Sequence, residues 1–117
     1  MRYGLVTTVI IKSMTASEFQ GYFGHPDFHD AVIEDVQQSE RQLSVVLRAE
    51  SGARWCITFA EAEVTERNPR GTRIYAVSRM ATPRVGSLTY VFVNWNERDD
   101  SPLEVTTSQE PIVRAVQ

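Results

Sequence analysis

Two stretches of period-two alternation, separated by a short turn, constrain the fold of this chain more than any other feature. Apolar residues occupy every second position from 43 to 49, and the same alternation recurs from 53 to 59. Ser51-Gly52 lies between the two stretches and is typical of a tight turn. Successive side chains of a strand point to opposite faces of its sheet, so each stretch presents an apolar face. The pattern therefore predicts an antiparallel hairpin.

Other segments of the chain also have the composition of strands. Strands are predicted over 31–38, 72–81, 87–95 and 103–107, with 112–116 as a strand or a loose tail and 60–66 as a strand extension or a helical turn. Residues 87–95 are apolar on both faces, which indicates a central strand or one covered by a helix. The predicted fold class is mainly β, a single domain over 1–117 in which an antiparallel β-meander forms a sandwich or a small bent barrel.

The N-terminal region predicts one strand and one short helix. Residues 3–12 are rich in Val, Ile and Thr, which favour strands. Thr15-Ala16-Ser17-Glu18 matches a capping box, and the aromatic residues Phe19, Tyr22 and Phe23 follow at helical spacing. Gly24 and Pro26 would end this helix after about two turns. We therefore expect a short N-terminal helix with an aromatic face in the core.

Composition narrows the functional classes. The chain has 117 residues, a formal charge of −3 and one cysteine, Cys56. An acidic balance disfavours nucleic-acid binding, which usually requires a basic domain. The apolar N-terminal stretch is too short for a transmembrane span and lacks a signal-peptide cleavage pattern. One cysteine allows no internal disulfide, as is usual in a reducing compartment. We therefore expect a soluble, cytoplasmic protein with no membrane or nucleic-acid partner.

Charge is distributed unevenly along the chain. Residues 27–66 hold nine acidic residues and three arginines, whereas residues 67–98 hold six arginines and only Glu97. Cross-strand ion pairs between the two halves would explain this pattern, and we favour that interpretation. The alternative is a pair of oppositely charged faces, one of which meets a partner.

The segment from His25 to Asp30 concentrates the polar residues that could form a site. Both histidines of the chain, His25 and His29, lie here with Asp27 and Asp30. His25, Asp27 and His29 alternate, so an extended chain would place them on one side, where they could hold zinc or iron. The favoured alternative is a structural turn in which these side chains cap backbone groups. We therefore predict no cofactor and keep the three-residue metal site as the less favoured hypothesis.

The rest of the chain offers binding candidates and no catalytic motif. Trp95 ends an apolar strand and precedes a loop that contains Arg98, so it is either an exposed binding anchor or a lid on the core. Cys56 lies mid-strand, where an activated thiolate is not expected. No nucleophile elbow or phosphate-binding glycine loop is present. The sequence thus favours a protein without enzymatic activity and assigns no catalytic residue.

One short motif resembles a known family. Phe28-His29-Asp30-Ala31, followed by Val32-Ile33, a polar turn and the strand segments 43–47 and 57–59, is similar to small bacterial proteins classed as immunity protein 50 and related uncharacterised domains. The resemblance covers roughly residues 20–95. It implies a β-meander that binds and neutralises a toxin domain without catalysis. In this family the four motif residues have no agreed catalytic role, so they are interpreted as a structural signature.

Three functional hypotheses follow from the sequence. The first is a protein-interaction module, of the immunity type or similar, whose acidic run suits a basic toxin or comparable partner. The second is a β-barrel that binds a small ligand or metal, with or without enzymatic activity, and uses a concave pocket into which both histidines face. The third is a structural or homo-oligomeric module in which strand 87–95 pairs across a two-fold axis.

Overall fold

The computed structural model describes residues 18–117, and 56% of these residues are in strands. Nine strands run in the order β1 (Glu18–Tyr22), β2 (Val32–Ser39), β3 (Gln42–Arg48), β4 (Arg54–Phe59), β5 (Glu63–Glu66), β6 (Ile74–Ala81), β7 (Leu88–Asn94), β8 (Leu103–Thr107) and β9 (Ile112–Val116). The one helical element among these residues is a 3-10 turn, Pro26–Phe28. No helix in this part of the protein has the length and apolar character needed to cross a bilayer.

The strands form two antiparallel sheets. The five-stranded sheet has the order β1-β6-β7-β8-β5, and the four-stranded sheet has the order β2-β3-β4-β9. Each contains one three-strand meander, β6-β7-β8 and β2-β3-β4, because short turns join neighbouring antiparallel strands. The predicted hairpin is confirmed as β3 and β4, which pair without a register shift from Leu43–Phe59 to Arg48–Arg54.

The two sheets enclose one core. Phe59 of the four-stranded sheet contacts Tyr90 and Phe92 of the five-stranded sheet, at ring-centroid distances of 5.5 and 6.2 Å. Inward residues of both sheets, such as Leu47 and Val105, are fully buried in the same cluster. The prediction of a mainly β sandwich is therefore confirmed, whereas neither sheet closes into a barrel.

The prediction of a short N-terminal helix is wrong for the residues of that segment that the structure describes, which begin at residue 18. Residues 18–22 form strand β1, which pairs antiparallel with β6, and the Phe23 N–H continues the ladder by donating to the Val77 carbonyl at 2.8 Å. Pairing with a distant strand thus overrides the local helical spacing. The predicted strand 3–12 and the capping residues 15–17 lie outside the described residues.

The remaining strand predictions correspond to observed strands. Segments 31–38, 72–81, 87–95, 103–107 and 112–116 match β2, β6, β7, β8 and β9, respectively. Within the ambiguous segment 60–66, Glu63–Glu66 form β5, which joins the other sheet and does not extend the hairpin. Strand β7 is the central strand of its sheet, as predicted. Both of its edges are occupied, so a second copy cannot pair with it edge to edge.

Candidate functional site

Residues 23–31 cross from β1 in one sheet to β2 in the other, and they contain the predicted polar segment. Gly24 turns the chain with φ +90°, a conformation that L side chains rarely adopt. The Phe28 ring lies so close that a Cβ at position 24 would stand 2.1 Å from its Cε2 atom. Phe28 itself is buried between the sheets. The glycine that was predicted to end a helix is therefore needed for close packing of this crossover.

His25 has a structural role at the start of the 3-10 turn. Its Nδ1 accepts the backbone N–H of Asp27 at 3.0 Å, which caps the turn. Its ring stacks on Trp55 of β4, with ring centroids 4.4 Å apart. The Trp55 indole N–H in turn donates to Asp27 Oδ2 at 3.0 Å. These contacts fasten the crossover to the four-stranded sheet and place His25 and Asp27 within a capped turn.

Asp30 fastens the same crossover to the five-stranded sheet. It adopts φ +62°, and its backbone N–H donates to the Tyr75 carbonyl at 3.3 Å. Its Oδ1 accepts the indole N–H of Trp95 at 3.0 Å, directly after β7. Two indole–carboxylate hydrogen bonds, Trp55–Asp27 and Trp95–Asp30, thus hold the crossover between the sheets.

The two histidines have different environments. His29 packs edge-on against Tyr22 and Tyr75, at centroid distances of 5.4 and 5.6 Å, whereas His25 stacks on Trp55. A cavity of about 170 Å³ is lined by both histidines together with the core residues around Phe28. Among residues 18–117, no group of three His, Cys, Asp or Glu side chains is placed to hold a metal ion.

An exposed aromatic cluster surrounds His29. Phe19 and Tyr22 of β1 contact each other at 5.2 Å, and Tyr22 also lies 6.1 Å from Tyr75 of β6. Phe19, Tyr22 and Tyr75 are 52%, 56% and 38% exposed, and Trp95, which is hydrogen-bonded to Asp30 next to His29 in the chain, is 55% exposed. We call Phe19, Tyr22, His29, Tyr75 and Trp95 the aromatic patch. The Trp95 side chain is exposed at the end of its strand, and its role as a binding anchor stays a prediction.

The aromatic patch lies on the outer surface of the five-stranded sheet. On β6, Val77 is part of the core, so its neighbours in the strand, Ser78 and Met80, point to the opposite side. Tyr22 pairs with Ser78 and Phe19 pairs with Met80, so these two aromatic side chains share that outer side. Within residues 18–117, no third layer covers this surface.

Acidic residues border the aromatic patch on the loop that follows Trp95. This loop carries Glu97, Asp99 and Asp100, none of which forms an ion pair with another residue in the 18–117 range. Desolvation of its hydroxyl raises the pKa of Tyr22, with smaller contributions in the same direction from Tyr75 and from the negative charge of Glu97. Arg98 is exposed on the same loop, and the Asn96 side chain accepts its backbone N–H at 3.2 Å.

Eight arginines of the described residues form ion pairs, and three of these pairs join the acidic and basic halves of the chain, as the favoured interpretation of the charge distribution predicted. Asp35 binds Arg70 at 2.9 Å, and this hydrogen bond lowers the pKa of Asp35. The Glu34 carboxylate accepts a hydrogen bond from Arg54 Nε at 2.7 Å, and that hydrogen bond lowers the pKa of Glu34. The other two pairs that join the acidic and basic halves of the chain are Glu50–Arg73 and Glu63–Arg84. The acidic residues beside the aromatic patch have no such partner, and neither do Glu18, Glu40 and Glu66 among the described residues.

Sequence reasoning identified part of this site and missed the rest. His29, Asp30 and Trp95 were candidates, whereas Phe19 and Tyr22 were assigned to the core face of a helix. Gly21, in the interior of that predicted helix, was the available signal against it. Tyr75 becomes exposed next to a register shift between Ile74 and Ala76, for which the sequence has no clear signal.

Comparisons of the chain with protein-family models, with curated proteins and with solved structures find no match. The function must therefore be inferred from the residues of this chain alone.

Proposed function

We propose that this protein is a non-catalytic interaction module that binds a basic protein partner through the aromatic patch, as an immunity-type protein binds a toxin. One observation carries the proposal: of the six exposed large hydrophobic side chains among residues 18–117, Phe19, Tyr22 and Tyr75 are in ring contact, and Trp95 is hydrogen-bonded to Asp30, the chain neighbour of His29 in the same patch. Scattered apolar residues are normal on a protein surface, but a cluster of them marks an interaction site. Tyr and Trp are also the residues that most often dominate binding energy at interfaces.

The charge of the surrounding loop supports a basic partner. Glu97, Asp99 and Asp100 form no ion pair with another residue of 18–117, whereas several other acidic residues pair with arginines. Complementary charge at the rim of an interface accelerates association and selects against acidic partners. We accordingly expect binding to weaken as salt is added.

The family resemblance supports the same class of function. Phe28 and Ala31 of the shared motif are buried, and Asp30 holds Trp95, so three of the four positions serve the crossover. His29 is the one motif residue that belongs to the aromatic patch. These roles agree with the interpretation of the motif as a structural signature. A single cysteine, Cys56, favours the cytoplasm as the site of action.

Site-specific photo-crosslinking in cells of the source organism tests the proposal. A photoreactive amino acid at Tyr22 should trap one dominant protein of basic isoelectric point. The same group at Gln37, exposed on the other sheet, should not trap it. The absence of an adduct specific to position 22, or an adduct with an acidic protein, would contradict the proposal.

Binding measurements with the purified partner complete the test. Tyr22→Ala should weaken the affinity at least about tenfold, as expected for a residue at the centre of an interface. Val85→Ala removes a hydrophobic side chain that is 99% exposed and is not part of the aromatic patch, so it should leave the affinity nearly unchanged. If the partner is a toxin, co-expression of the wild type should protect cells, and Tyr22→Ala should protect them less.

A second candidate function is small-ligand binding between the histidines. It is favoured by the cavity of about 170 Å³ that both His25 and His29 line. Ligand sites more often measure about 300–1,000 Å³, so only a very small ligand would fit. Mass spectrometry and metal analysis of the purified protein test this candidate. A stoichiometric ligand that is lost in His29→Ala would favour it over the interaction module.

A further inference from the structure

The two open sheets leave four strand edges within residues 18–117: β1 and β5 in one sheet, β2 and β9 in the other. An edge strand presents unpaired backbone N–H and C=O groups that can pair with another chain. Proteins usually block such edges with bulges, charged residues, very short strands or a covering segment.

Three of these edges are blocked. Strand β1 has a register shift between Phe19 and Gly21, which distorts its ladder. Strand β5 has only four residues and carries glutamate at both ends. The edge of β2 is covered at its start by residues 70–73. The Ile33 N–H donates to the Thr72 carbonyl at 2.9 Å, and Val32 forms an isolated antiparallel bridge with Arg73.

The edge of β9 has no bulge, no covering segment within residues 18–117 and a single charged residue. All five of its residues pair with β4 in a regular register. Arg114 is its one charged residue, and Ile112 is 60% exposed. No residue in the 18–117 range pairs with its other side. We propose that β9 is the docking edge for a second copy of this chain, which would join two four-stranded sheets into one eight-stranded antiparallel sheet.

A second copy fits this edge for a geometric reason. An antiparallel strand edge is complementary to itself, and two-fold dimers are the commonest assemblies of identical chains. A register with Arg114 opposite itself is disfavoured by like-charge repulsion. Registers centred on Val113 or Ala115 place Arg114 opposite Ile112 or Val116 of the other copy, where its aliphatic stem can lie along an apolar side chain.

The size of the contact determines how strong this dimer can be. A five-residue strand pair buries far less than the roughly 800 Å² per partner of a standard interface. Self-association should therefore be weak and appear only at high protein concentration. The edge belongs to the four-stranded sheet, whereas the aromatic patch lies on the five-stranded sheet. The dimer therefore does not depend on the proposed function.

Sedimentation equilibrium and hydrogen exchange of the full chain, from micromolar to millimolar concentration, test the proposal. The mean mass should rise towards twice that of the monomer, and amides of 112–116 should become more protected in parallel. Amides of 18–22, on the bulged β1 edge, serve as the internal control and should not change. A monomer at every concentration would overturn the proposal. So would concentration-dependent protection confined to 18–22, or protection at 112–116 that does not vary with concentration, which would show cover from within the same chain.

A charge variant gives an independent test. Ile112→Lys combined with Val116→Lys would place three positive charges on β9, and each would face the same charges in a second copy. This variant should remain monomeric where the wild type self-associates. Val85→Lys adds a charge in the exposed turn between β6 and β7 and should dimerise like the wild type. Dimerisation of the double-lysine variant with wild-type strength would refute the role of β9. Circular dichroism establishes that each variant is folded.

Discussion

Replacement of Gly24 by alanine tests whether the crossover depends on close packing against Phe28. The backbone at position 24 has φ +90°, and a Cβ there would lie 2.1 Å from Phe28 Cε2. Strain at a positive φ costs about 1–3 kcal/mol. Overpacking of a well-packed core costs about another 1–3 kcal/mol. We therefore expect Gly24→Ala to lower the free energy of unfolding by about 2–6 kcal/mol, a large share of the roughly 5–15 kcal/mol of a typical domain.

Gly52→Ala is the matched control for this substitution. Gly52 also has a positive φ, +94°, but a Cβ there would have no neighbour within 4 Å. It should therefore show the backbone cost without the steric cost. Urea unfolding followed by tryptophan fluorescence measures both variants. Equal losses of stability for Gly24→Ala and Gly52→Ala would refute the packing argument.

A double-mutant cycle identifies the steric partner. Phe28→Leu removes the ring atoms that would collide with the new methyl group. The double variant Gly24→Ala with Phe28→Leu should therefore lose less stability than the sum of the two single variants. Strict additivity would show that Phe28 is not what excludes a side chain at position 24.

Three further predictions concern stability. The Arg70 hydrogen bond lowers the pKa of Asp35, so its stabilisation should be complete above the ordinary carboxyl pKa and fade as the pH falls through the lowered value. Asp35→Asn should accordingly be less stable than the wild type at pH 7 and equally stable at strongly acidic pH; a difference independent of pH in urea titrations would contradict this. Asp27→Ala leaves the indole N–H of half-buried Trp55 unpaired and should cost about 1–3 kcal/mol in urea unfolding, whereas a neutral result would show that water replaces the carboxylate. Phe59→Ala empties the contact between the sheets and should cost about 3–5 kcal/mol by the same assay, with a loss below 1 kcal/mol arguing against a shared core.

The hairpin was predictable because its two strands are neighbours in the chain. Alternation over 43–49 and 53–59 specifies the buried face, and the intervening turn brings the strands together, so no distant information is needed. The meander β6-β7-β8 was predictable for the same reason. Its central strand, β7, has apolar residues on both faces, which its position between two other strands explains.

The segment 18–24 shows where local patterns are insufficient. Phe19, Tyr22 and Phe23 have helical spacing, yet the strand pairs with β6 more than fifty residues away. A register shift in β1 then directs Phe19 and Tyr22 to the outer surface, while Phe23 enters the core. Only the partner strand decides between these outcomes, because a short segment can satisfy its backbone either as a helix or in a ladder.

The candidate site was located by sequence, but its role was not. The density of polar residues in 25–30 indicated a turn or a site, and both alternatives stayed open. The choice depended on Trp55 and Trp95, which lie 28 and 65 residues from their carboxylate partners. Once these indoles hold the crossover, His29 is left beside Tyr22 and Tyr75, and the aromatic patch forms.

The sequence by itself determined the fold class, most strand positions and the location of the polar crossover, since alternation and turn residues act over a few neighbouring positions. Tertiary structure alone decided which strand borders β6, which acidic residues stay unpaired, and which aromatic residues gather on the outer surface. These outcomes depend on contacts between residues far apart in the chain, where the local preferences of each segment are weaker than the packing of the two sheets.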